Sequence, residues 1–128
     1  MNHLSLLLAG ALLAAAAPGH GTPGHGPPPM LAEAERAYQR SLATGMRLWR
    51  TNAPPLSSNG KSCTACHGAP ASLTGVFSRY PRPDAPTGRV IPLEQQIALC
   101  IQQRMHGQPP PPGSAGSVAL LVLLREQK

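Results

Sequence analysis

Proline and glycine set the outer limits of this chain. Sixteen prolines and thirteen glycines are spread over 128 residues. Proline removes a backbone donor and glycine costs helix stability, so one continuous helix is excluded. Three windows keep apolar residues at helical spacing. In 30–49, Leu31, Ala34, Tyr38, Leu42, Gly45 and Met46 recur at three- and four-residue steps. Glu33 and Glu35 fall in the expected first turn, and Arg47 and Arg50 near the end, as the helix dipole favours. Pro54 and Pro55 prevent continuation. In 92–106, Pro92 suits a first helical position and Leu93, Ile97, Cys100, Ile101 and Met105 share a face. Gly107 and the prolines of 109–112 stop that helix. The third window is 117–126, with Ser114 or Ser117 as N-cap. Its 118–124 run is apolar nearly all round, which calls for burial or an interface. The intervening 56–91 is punctuated by proline and glycine and shows no strand-length alternation. It reads as loop with one short helix after Cys66, and the expected class is all-α.

The start of the chain reads as an address and a tether. Residues 4–17 are almost wholly apolar and end in alanines, the small residues a signal peptidase accepts. The expectation is a signal peptide over 1–17, export to the periplasm, and no stable membrane span after cleavage, because no interior apolar run approaches ~18 residues. Residues 18–29 read PGHGTPGHGPPP, a Pro/Gly/His-rich linker, which leaves 30–128 as the domain. Eleven Lys and Arg against five Asp and Glu give a net charge of +6, which favours an acidic redox partner by steering. No basic run is interleaved with aromatics, so nucleic acid is not expected. The aromatic residues are only Trp49, Tyr38, Phe77 and Tyr80, a thin supply for a core. A large apolar body from outside the polypeptide would complete it.

Cys63-Thr64-Ala65-Cys66-His67 identifies that body. Cys-x-x-Cys-His is the attachment signature of c-type haem. Two thiols one helical turn apart can add to the two vinyl groups on one edge of a porphyrin, and the adjacent imidazole then lies under the iron. A thioredoxin-like redox pair needs a βαβ context, which the pattern lacks. A zinc site needs a second Cys/His pair at suitable spacing, which is also missing. The reading is one covalent haem c on Cys63 and Cys66, with His67 as iron ligand.

The ligand opposite His67 is open on the residues alone, among Cys100, Met105, His106 and Met46. Once two thioethers form, Cys100 has no disulfide partner within the chain. A buried cysteine often serves as a small hydrophobe. A spare thiol in an oxidising compartment is nevertheless a liability unless it is used.

From Gly45 to Pro109, about half of the chain, the sequence resembles the haem domain of thiosulfate dehydrogenases and of the A subunit of Sox-system cytochromes. The shared residues are Gly45, Leu48-Trp49, Ser62 through His67, Leu73-x-Gly75 and Arg79-Tyr80-Pro81. Thr87-Gly88-Arg89-Val90 then leads into Leu93-Glu94-x-x-Ile97-x-x-Cys100-x4-Met105-x-Gly107. The resemblance implies a cytochrome c-like helical domain wrapped around haem, with iron ligation by His67 and Cys100 and Met105 as neighbour or alternate ligand. Those dehydrogenases carry two haems, whereas this sequence has one motif. A thiolate ligand stabilises ferric iron and lowers the potential, whereas a thioether raises it.

The function expected is a monohaem c-type cytochrome moving electrons in the periplasm during oxidation of thiosulfate or related sulfur compounds. It would act as an electron-transfer protein or as the haem subunit of a thiosulfate-oxidising oxidoreductase, with Cys100 in the catalytic position. Its partner would be another cytochrome or haem subunit, and a small anionic sulfur compound its substrate. Arg79, Arg82 and Arg89 precede the Cys100 helix and can reach haem propionates or such an anion. The rival readings are a plain His67/Met105 electron shuttle and a haem-based ligand sensor or structural subunit.

Overall fold

A computed structural model describes residues 26 and 28–128. The expected signal peptide and nearly all of the linker lie outside the described residues. The all-α expectation holds, with the addition of one small two-stranded ribbon.

Helix α1 spans Pro29–Arg50 and α4 spans Ala115–Arg125, and these two form the frame. Pro29 opens α1, so the helix starts one residue before the expected 30. Glu33 and Glu35 therefore fall beyond its first turn, which carries no acid. The apolar stripe is only half used: Gly45 and Trp49 are buried, while Leu31 and Ala34 lie exposed. Length explains this. At ~1.5 Å per residue, α1 with 22 residues is about twice as long as α4 with 11, so its first half outruns its cover. Where the two helices meet, a Cβ on Gly45 would lie 2.3 Å from the Ala119 carbonyl oxygen. Only glycine allows that backbone approach. Beside it, Trp49, Val76, Leu93, Leu123 and Leu124 form one core cluster, and Leu56, Ile101, Met105 and Leu120 a second. Of the two N-cap candidates for α4, Ser114 takes the role, its hydroxyl accepting from Ser117 N at 3.3 Å.

The expected loop of 56–91 holds more structure than anticipated. Its short helix, α2, covers Cys63–His67 itself rather than the residues after Cys66. Two 3-10 turns come next, at Pro70–Leu73 and Phe77–Arg79. Strands β1 (Arg82–Asp84) and β2 (Arg89–Ile91) then pair antiparallel, with Arg82 opposite Ile91. The Asp84 carboxylate closes their turn by accepting from Thr87 N at 3.0 Å and Thr87 Oγ1 at 2.6 Å.

Helix α3 spans Leu93–Arg104, with Pro92 as its N-cap rather than its first residue. It is held at both ends. At its start, Glu94 Oε1 accepts from Gly113 N at 2.9 Å and from the Ser117 hydroxyl on α4. At its end, the carbonyls of Arg104, Met105 and His106 accept from the 57–59 loop. Asn59 Nδ2 donates to Arg104 O at 3.0 Å, Ser58 N to Met105 O at 3.1 Å, and Ser58 Oγ to His106 O at 2.7 Å. Gly107 comes so close behind that a Cβ there would sit 1.9 Å from the Leu56 carbonyl oxygen.

The Ser117 hydroxyl and the Gly113 amide hold the Glu94 carboxyl below the ordinary carboxylate range. A depressed folded value contributes stability above the unfolded value, which is lost as pH falls through the folded one. Glu94→Gln should therefore melt below the parent at pH 6, and that gap should narrow at pH 3. Thermal unfolding of both proteins at the two pH values checks this.

Candidate functional site

Helices α2 and α3 contribute to the lining of one cleft of about 360 Å³. Helix α2 is only five residues long, too short to be stable alone, so its neighbours must fix it. Trp49, at the end of α1 and 3% exposed, does so. Its Nε1–H donates to the Gly68 carbonyl at 2.8 Å, and its own carbonyl accepts from Thr64 Oγ1 at 3.3 Å. Its ring lies against that of His67, with centroids 5.9 Å apart and planes tilted by 40°. The pentapeptide is thus anchored through its back, while Cys66 and His67 stay exposed along the cleft.

From α3, Leu93, Gln96, Ile97, Cys100, Ile101 and Arg104 line the cleft, the spacing of one helical face. Gln96 Nε2 donates to Cys100 Sγ at 3.5 Å. Burial pushes the Cys63 thiol up to about 11, and the nearby Cys100 and Cys66 sulfurs act in the same direction. Cys63, Cys66 and Cys100 all line this cleft. Leu73, Val76, Leu120 and Leu124 add apolar surface. Arg79, Arg82 and Arg104 supply the cations, and the Arg82 guanidinium carbon lies 4.8 Å from the Tyr80 ring centroid.

The structure sorts the four ligand candidates. Cys100 and Met105 both line the cleft with His67. Met46 does not line it, and packs against the Trp49 cluster instead. His106 is exposed beyond the end of α3 and is also outside the cleft. Of the arginines singled out from sequence, Arg79 and Arg82 reach the cleft, whereas Arg89 sits exposed on β2 away from it. Arg104 and Gln96 belong to the site and were not anticipated from sequence. Their signal was available, because each is four residues from Cys100 on one helix.

The residues fit a haem c. Two thiols one turn apart and an adjacent imidazole stand at the edge of a largely apolar cleft, with cations available for carboxylates. Among the described residues, no helix is long and apolar enough to cross a membrane.

Comparison with known proteins agrees with this geometry. The family model described as SoxA/TsdA, cytochrome c domain, matches residues 44–127. The L-cysteine S-thiosulfotransferase subunit SoxA of Pseudaminobacter salicylatoxidans is 36% identical over 84 residues, covering 65% of this chain and 28% of that protein. The same subunit from Paracoccus pantotrophus is 38% identical over 47 residues, covering 37% of this chain and 16% of that protein. The crystal structure of SoxXA from P. pantotrophus superposes with a TM-score of 0.64 at 25% identity, over 74% of this chain and 35% of the matched chain. The chain thus spans about a third or less of the length of these relatives. It belongs to the SoxA/TsdA cytochrome c domain family, and as a cytochrome c domain it carries covalently attached haem.

Proposed function

We propose that this domain is a periplasmic electron-transfer module of thiosulfate oxidation, with a single haem attached through Cys63 and Cys66 and ligated by His67 and Cys100. The observation that carries the reading is the placement of Cys100 and the pentapeptide on one apolar cleft. Bound there, the haem supplies a one-electron iron centre. The chain's own residues do the rest. Cys63 and Cys66 staple the porphyrin edge to α2, and Trp49 holds the turn from which His67 projects. Leu73, Val76, Leu120 and Leu124 exclude water. A Cys100 thiolate bound to iron would favour the ferric state and lower the potential of the site.

Arg79, Arg82 and Arg104 give the same cleft a cationic lining. They are placed to meet propionates, an acidic redox partner or a small anionic sulfur compound. An anion drawn there would meet Cys100, the residue proposed as catalytic. The relatives are named as subunits of an L-cysteine S-thiosulfotransferase, and the superposed structure is of SoxXA. Both support a companion redox subunit and a thiosulfate-derived substrate.

A second reading, ligation by His67 and Met105, has one observation in its favour: Met105 lines the same cleft. Its side chain is nevertheless committed to the Leu56, Ile101 and Leu120 cluster and is 4% exposed. Electron paramagnetic resonance of the oxidised protein separates the two. Cys100→Ser should replace the parent low-spin signal with a different one, and the parent should lack the near-infrared methionine–iron charge-transfer band. That band in the parent, with a signal indifferent to Cys100→Ser, would leave the thioether as the ligand.

A further inference from the structure

We propose that Gln96 is a positioning residue that sets the donor strength of the Cys100 sulfur through its side-chain hydrogen bond. The proposal rests on the reading of Cys100 as iron ligand and adds a residue that controls it. Gln96 lies one helical turn before Cys100 on α3, and both line the cleft. Its Nε2–H donates to Sγ at 3.5 Å, a normal length for a sulfur acceptor. Among the described residues, this is the side-chain hydrogen bond that reaches Cys100. The carboxamide is neutral, so the contact does not depend on a protonation state.

The direction of its effect comes from charge. Reduction would add one electron to a haem iron held here, with no bond made or broken and no proton moved. Part of that charge would spread onto a bound Cys100 thiolate, so the sulfur would be more negative in the ferrous state. An N–H dipole aimed at sulfur stabilises the ferrous state more than the ferric one. Hydrogen bonds to a ligating sulfur are among the levers that set such potentials. Gln96 thereby offsets part of the potential-lowering effect of the thiolate. It also fixes the Cys100 side chain on the cleft side of α3.

Four forms of the holoprotein test this: the parent, Gln96→Leu, Gln96→Glu and Gln96→Lys. Leucine keeps the bulk without the donor, glutamate replaces the donor with a negative charge, and lysine strengthens it. Spectroelectrochemical titration should order the midpoint potentials lysine, parent, leucine, glutamate, from high to low. For Gln96→Leu the ferric-to-ferrous ratio at a fixed potential should rise about five- to tenfold, tenfold being about 59 mV for one electron. The low-spin resonance should shift in the same variant. A role in packing alone would move all three variants in one direction. That result, or coincidence of the leucine and lysine variants with the parent, overturns the proposal. Cys100→Ser, measured alongside, separates the two levels. An unchanged resonance in that variant removes the ligation and this inference together. A changed resonance beside a flat Gln96 series removes this inference alone.

Discussion

Cys63→Ser/Cys66→Ser should surrender all of its pigment to acidified organic solvent, whereas the parent should keep its pigment on the polypeptide. The size of the effect reflects how little else can retain haem here. Helix α2 has five residues, and Cys66 and His67 are exposed. That edge of the cleft is therefore exposed, and packing there does not enclose a porphyrin. The two proposed thioether bonds would replace that enclosure. Each single variant should retain haem through the remaining sulfur, with one unreacted vinyl group that shifts the pyridine haemochrome band to longer wavelength. Pigment that stays with the polypeptide in the double variant would refute the assignment of these cysteines.

The largest stability loss in the described chain is expected at Trp49. Trp49→Ala should cost about 3–5 kcal/mol, the usual range for removing a buried tryptophan. The side chain sits in the core with Val76, Leu93, Leu123 and Leu124, so its removal opens a cavity that α1 and α4 cannot close. Trp49→Phe keeps most of the ring but leaves the Gly68 carbonyl without its 2.8 Å donor. That loss alone should cost about 1 kcal/mol. Urea unfolding of the holoprotein measures both. The site should report the same changes. With Trp49 gone, α2 loses its clamp, and a fraction of the ferric iron should turn high-spin as the His67 bond slackens. A high-spin fraction equal to the parent's in Trp49→Ala would show that α2 is held by other means.

The long-range frame was legible in the chain because its signals are local. Helical spacing marked α1, α3 and α4, and proline and glycine marked where they stop. Cys63 through His67 stood out by residue type and spacing, Cys100 shared a face with Ile97 and Ile101, and all of these but Thr64 and Ala65 line the cleft. Features that escaped depend on contacts between distant residues. The β1–β2 ribbon has three residues per strand, with Pro83 within it, too few to display alternation. Leu31 and Ala34 extend the α1 stripe, but nothing in their spacing tells that α4 ends short of them. The bond from Trp49 to Gly68 crosses 19 positions, and that from Ser58 to His106 crosses 48. Such pairs arise from the fold and from no local pattern.

The way α3 is hung has an evolutionary consequence. Glu94 tethers one extremity, the serine–asparagine loop grips the other and Ile101 packs into the core, while residues 95–100 stay half-buried. That midsection is like a bridge deck whose load is borne at the abutments. Substitutions at 96 and 100 can therefore be sampled without collapse of the scaffold. One backbone can in this way host iron centres of differing electrochemistry, which gives a redox module room to diversify.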